Sequence, residues 1–176
     1  NENTKAIIVN SPNNPSGAVF SEETIIKISQ LLENAQEKFG RKIYIIADEP
    51  YRELVYDADT VVPFIPNIYN NTIVCYSFSK SLSLPGERIG YILVSPKADF
   101  HDEIYFAVCG AGRALGYVCA PSLFQKIVPE CIGKTADVSV YKKNRDILIN
   151  ALTEYGFKIV KPDGAFYLFV KALEED

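Results

Sequence analysis

The chain has 176 residues, with no methionine, no tryptophan, one histidine and four cysteines. The histidine is His101, and none of Cys75, Cys109, Cys119 and Cys131 forms a Cys-x-x-Cys pair. That shortage excludes the common zinc-ligand patterns, and no metal is expected. The cysteines read as buried thiols of a reducing compartment, so a cytoplasmic location is expected. No apolar run approaches the ~20 residues that cross a bilayer, which excludes a helical membrane span. The polar start, Asn1-Glu2-Asn3-Thr4-Lys5, has no apolar stretch of the secretory kind, and no leader is expected. Positive charge is sparse and scattered: 18 Lys and Arg against 22 Asp and Glu give a net charge of −4. Neither a nucleic acid nor an anionic membrane surface is an expected partner. Internal repeats and low-complexity segments are also missing.

What the chain does have is apolar residues, 48% of the total, enough for a core. The length suits one domain, or a domain with part of another. Ala6 to Asn10 is a continuous apolar run, the pattern of a strand covered on both faces. A Pro/Gly-punctuated loop, Asn13 to Gly17, follows. Ser21 is a natural N-cap, with Glu22 and Glu23 in the first turn. Ile25, Ile28, Leu31, Leu32, Ala35 and Phe39 recur at helical spacing, and Gly40 stops the helix. Ile43 to Ala47 is the next strand. Strand, helix and strand make a right-handed βαβ unit with parallel strands. Thr72 to Ser77 and Ile89 to Ser95 read as a third and fourth strand; the short link before the last suggests that it runs antiparallel.

Asp99 to Val108 and Pro121 to Val128 are expected as peripheral helices. Thr135 to Tyr155 is expected as a long amphipathic helix closed by Gly156. Phe157 to Lys161 and Ala165 to Val170 then alternate like a hairpin around Pro162-Asp163-Gly164. The predicted fold class is α/β: a mostly parallel sheet with flanking helices over residues 1–133, then the start of a small α+β domain over 134–176.

The chemistry gathers at strand ends. In an open α/β sheet, ligands bind beyond the C-terminal ends of parallel strands. Asn14, Asp48 and Lys80 each follow such an end. Lys80 offers a primary amine, Ser77 and Ser79 offer hydroxyls, and Arg88 offers a guanidinium able to make a bidentate contact. An amine can condense with an aldehyde, while hydroxyls and a guanidinium can hold a phosphate. Pyridoxal 5′-phosphate (PLP) carries both groups. Asp48 is placed to pair with a protonated ring nitrogen, and Tyr51 and Asn14 to hydrogen-bond to the phenolic oxygen.

These residues stand in Asn14-Pro15-Ser16-Gly17, Asp48-Glu49-Pro50-Tyr51, Ser77-Phe78-Ser79-Lys80 and Arg88-Ile89-Gly90. Together, in this order and spacing, the four motifs resemble the class I/II aminotransferases, the fold-type-I PLP enzymes, and most of all their aspartate aminotransferase-like members. The likeness reaches Gly164-Ala165-Phe166-Tyr167. It implies that Lys80 forms the covalent link to PLP and Asp48 holds the ring nitrogen. It implies also that Tyr51 and Asn14 bind the phenolic oxygen, and that Ser77 and Arg88 bind the phosphate. Ser79 is the weaker member of that set.

The resemblance further implies transfer of an amino group between an amino acid, aspartate by likeness, and a 2-oxo acid, 2-oxoglutarate by likeness. Full-length members are homodimers more than twice this long, so the segment is expected to be a central piece, inactive alone. Other fold-type-I chemistry, a β C–S lyase or a decarboxylase, keeps the same lysine and aspartate. A non-catalytic PLP-binding regulator module is the remaining alternative. Arg113 reads as an interface residue, His101 as a surface helix residue, and Phe166, Tyr167 and Phe169 as core of the second domain.

Overall fold

The computed structural model describes residues 1–174. Strand β1 (Ala6–Asn10) leads through a loop into helix α1 (Glu22–Phe39), which returns to strand β2 (Tyr44–Asp48). The helix ends where local chemistry sets its ends. Ser21 Oγ accepts the Thr24 N–H at 3.2 Å, and Gly40, at φ 64°, closes the last turn by donating to Gln36 O. Strand β3 (Thr72–Ser77) adds parallel to β2, and strand β4 (Gly90–Val94) adds antiparallel to β3, giving the order β1-β2-β3-β4. The β3–β4 link holds only the short helix α2 (Phe78–Ser81) and a 3₁₀ turn, Pro85–Glu87. With no helix long enough to cross the sheet, the chain turns back and runs antiparallel beside β3.

The two faces of the sheet differ. Val9, Ile45, Ala47 and Val74 pack under Ile25 and Leu32 of α1, forming the main core. Side chains alternate along strands, so Asn10, Asp48 and Cys75, paired across β1 to β3, share the opposite face. Ile8 (72% exposed) and Ile92 (52% exposed) lie on that same face. A one-residue slip in register would exchange the two sets, so burial beneath α1 fixes where Asp48 points.

Beyond the sheet lie helix α3 (His101–Ala114), helix α4 (Ser122–Ile127) with a 3₁₀ turn to Cys131, and helix α5 (Val138–Glu154). Strands β5 (Lys158–Val160) and β6 (Phe169–Lys171) pair antiparallel. Helix α3 runs past the expected end at Val108 through Gly110 and Gly112. A glycine costs a helix about 1 kcal/mol, which weakens it without stopping it. Helix α5 starts at Val138 instead of Thr135 because Asp137 is its cap, its carboxylate accepting the Ser139 N–H at 2.9 Å.

The second hairpin strand begins at Phe169, where Ala165 was expected, because residues 162–167 have other partners. Asp163 N–H and Gly164 N–H both donate to Gly17 O, at 3.0 and 2.9 Å, and Ala165 N–H donates to Leu54 O at 2.9 Å. Tyr56 Oη donates to Ala165 O. Arg145 of α5, its side chain buried, donates to Pro162 O at 3.1 Å and lies 4.4 Å from the Tyr56 ring centre. The segment is thus bound to two loops far away in sequence.

Gly17 makes this junction possible. Its φ is +70°, and a Cβ there would lie 2.2 Å from Pro162 Cβ and 2.8 Å from Gly164 O. Gly17→Ala is expected to destabilise the protein by about 3 kcal/mol or more, adding left-handed strain to overpacking. Denaturant titration measures it, and an unchanged midpoint would show that the junction is not held through Gly17. The described residues end at Glu174; Glu175 and Asp176, which fall in the expected start of the second domain, lie outside them.

Candidate active site

Asp48 ends β2, and Asn10 ends β1 directly opposite it. Asn10 Nδ2 donates to Asp48 Oδ2 and to Asp48 O, both at 3.0 Å. Asn10 Oδ1 accepts the Asn14 N–H at 2.7 Å. One amide therefore aims the carboxylate and also anchors the Asn14 loop. Burial pushes the Asp48 carboxyl above its ordinary range. A carboxylate in that condition gains from a cation placed beside it. Asn10 was not foreseen as a site residue. The signal was available: a polar side chain closing an apolar run, one parallel strand away from Asp48.

A cavity of about 390 Å³ opens over these strand ends, lined by Asp48, Pro50, Cys75, Ser77, Gly90 and Tyr91 among others. Burial, and then the Asp48 charge, raise the Cys75 thiol above its ordinary value. Ser77 closes β3 and caps α2. Its Oγ accepts the Ser79 N–H at 3.2 Å and donates to Ser79 Oγ at 2.7 Å. The two hydroxyls thus sit side by side.

Lys80 follows one residue later in α2 and is half-buried. Its Nζ lies 5.1 Å from the Phe166 ring centre and 5.9 Å from that of Tyr51, within reach of a cation–π attraction. Tyr51 is nearly buried and packs edge-to-face against Phe166 and Tyr167. Its hydroxyl is 2.8 Å from that of Tyr167. Burial, the Tyr167 hydrogen bond and the Asp48 charge hold the Tyr51 phenol well above its ordinary value, while the Asn14 amide pulls the other way.

The structure therefore brings Asn14, Asp48, Tyr51 and Lys80 into one neighbourhood and pairs Ser77 with Ser79. Arg88 stands apart from them. It is exposed at φ 52°, and its Nη1 donates to Pro85 O at 2.8 Å. Its backbone is nonetheless close, since Phe78 N–H donates to Ile89 O and Ser77 pairs with Gly90. Phe166 and Tyr167, read from sequence as core, do pack on Tyr51 and Leu54, but they also touch Lys80 and the Tyr51 hydroxyl. Nothing in the sequence alone distinguished that from ordinary packing. Arg113 lies in the exposed last turn of α3, and His101 Nδ1 meets Ser95 O at 2.9 Å. Among the described residues no group of three His, Cys, Asp or Glu could hold a metal, and no helix is long and apolar enough to cross a membrane.

This donor set fits PLP. A half-buried carboxylate with no salt bridge among the described residues suits the ring nitrogen, a half-buried amine the aldehyde, and paired hydroxyls at a helix start suit the phosphate. The fold and the site define an α/β protein of mostly parallel sheet, with an amine, an acid and a phenol converging at the strand ends.

The chain belongs to the family described as aminotransferase class I and II, whose model matches residues 1–175. It is 35% identical to the probable aspartate/prephenate aminotransferase of Aquifex aeolicus, over 96% of this chain and 42% of that protein. It is 30% identical to the aspartate aminotransferase of Thermotoga maritima, over 98% of this chain and 43% of that protein. Among solved structures, an amino transferase from Eubacterium rectale is 63% identical with a TM-score of 0.96, covering 100% of this chain and 44% of that one. The chain thus spans less than half the length of the relatives it matches.

Proposed function

We propose that this chain is the PLP-anchoring part of an aminotransferase that moves an amino group between an amino acid and a 2-oxo acid. One observation carries the reading: Asp48 and Ser77 line one cavity, the Asp48 charge reaches Tyr51, and Lys80 Nζ lies 5.9 Å from the Tyr51 ring. Aspartate is the favoured amino donor, because several relatives are named aspartate aminotransferases, and 2-oxoglutarate is the acceptor that the family resemblance implies.

When bound, PLP supplies an electron-withdrawing ring that a protein cannot make from side chains. The chain's own residues do the rest. Asp48 Oδ2, held by Asn10, keeps negative charge next to the ring nitrogen. Lys80 Nζ would hold the aldehyde carbon, and as a free amine it would carry a proton to and from the substrate. Tyr51 Oη and the Asn14 amide donate to the phenolic oxygen. Ser77 and Ser79 would hold the phosphate, and Arg88 would join them only by giving up Pro85 O.

In the same reading, residues 1–133 belong to the cofactor-binding domain and 134–176 begin a second one, with Gly133 at φ 81° at the join. The working enzyme is a cytoplasmic homodimer, and this segment alone is inactive. The test uses the full-length protein loaded with PLP and given aspartate and 2-oxoglutarate. Glutamate production is the expected result. Pyruvate and ammonia released from cystathionine, without glutamate, would replace the reading with a β C–S lyase.

A further inference from the structure

We infer that Tyr167 is a positioning residue: its hydroxyl donates to Tyr51 Oη and so turns the Tyr51 proton toward the cofactor site. The inference rests on the functional reading above and deepens it. A tyrosine hydroxyl has one proton to give and two lone pairs to receive with. The Tyr51 and Tyr167 oxygens are 2.8 Å apart, and either can be the donor. The Asn14 side chain acts on the same phenol, favouring its charged form.

Two arrangements follow. In one, Tyr51 gives its proton to Tyr167 and has none left for a ligand. In the other, Tyr167 donates to Tyr51, occupying one of its lone pairs and leaving the Tyr51 O–H free to point out. A phenolic oxygen bearing negative charge selects the second arrangement, because a charge-assisted hydrogen bond is about twice as strong as a neutral one. The Tyr167 donation then polarises Tyr51 and strengthens that bond further, as in any hydrogen-bonded chain.

Tyr167 can do this because it is not on a free loop. Ala165 is tied to Leu54 O and to Tyr56 Oη, so the ring meets Tyr51 edge-to-face at 5.8 Å from a fixed base. The charged groups around the pair are Asp48, at the end of β2, and Lys80, in α2. No covalent step is assigned to Tyr167, and it does not touch the reacting atoms.

The test is a double-mutant cycle on full-length, PLP-loaded protein, read by the pH midpoint of the visible absorbance of lysine-linked PLP. Tyr51→Phe removes a donor to the phenolic oxygen and raises the midpoint. Tyr167→Phe is expected to raise it by about half a pH unit, the equivalent of a weak neutral hydrogen bond. In the Tyr51→Phe background, Tyr167→Phe should add nothing. A merely structural tyrosine would shift the midpoint equally in both backgrounds or in neither, and either result overturns the inference. If Tyr51→Phe itself leaves the midpoint unmoved, Tyr51 does not bind the phenolic oxygen and the pair has no role. If Lys80→Ala keeps the absorbance, the functional reading itself fails first.

Discussion

Lys80→Ala in the full-length protein should abolish the visible absorbance that PLP develops on linkage to an amine, and reduce amino transfer at least about 10⁴-fold. Two functions are lost together. The covalent anchor goes, and so does the proton carrier, which alone is worth about 10²–10⁴-fold in a well-placed side chain. The residue's surroundings argue against a surface role. Lys80 is half-buried between the rings of Phe166 and Tyr51, where an ordinary solvated lysine gains little. The fold should tolerate the change, since Lys80 makes no salt bridge among the described residues. Absorbance and far-ultraviolet circular dichroism check both halves. A retained band with retained transfer would remove Lys80 from the chemistry.

Asp48→Asn is the second large effect. Asparagine keeps the shape and still accepts from Asn10 Nδ2, but it cannot hold a positive ring nitrogen. Opposite charges ~4 Å apart at an effective dielectric of ~20 attract by about 4 kcal/mol, or about 10³-fold in rate. Turnover should fall by about that factor. The apo protein should respond in the opposite sense. Burial raises the Asp48 carboxyl above its unfolded value, so its contribution to stability is full in acid and is lost as pH rises through the folded value. At neutral pH the charged carboxylate is a burden that asparagine removes. The apo variant should therefore be slightly more stable than the parent at pH 7, with the difference vanishing in acid. Denaturant titration of apo protein at both values measures it, and a destabilised apo variant at pH 7 would contradict the account. PLP should also bind the parent less tightly as pH falls and Asp48 takes up a proton.

Much of this was legible before any coordinates. The first βαβ unit was readable because its signals are local: an apolar run, a serine cap and a terminal glycine. The candidate site residues Asn14, Asp48, Tyr51, Ser77 and Lys80 could be picked out because each ends or follows a strand. Their dependence on Asn10 was not, because that contact exists only once β1 and β2 lie in register. Ser77 as a cap and Arg88 turned toward Pro85 were equally hidden, since both depend on the turn geometry between β3 and β4. The late start of β6 was missed for a similar reason. Alternation suggested a strand from Ala165, but hydrogen bonds to Gly17 and Leu54 outbid the hairpin for that backbone.

The attachment of residues 162–167 to Gly17 and Leu54 has a practical outcome for anyone altering this protein. Insertions or deletions between Arg145 and Pro162, remote in sequence from the lysine, should register as changed colour and pH response when the vitamin is added to the full-length protein, whereas substitutions at the exposed Ala58 and Asp59 should not.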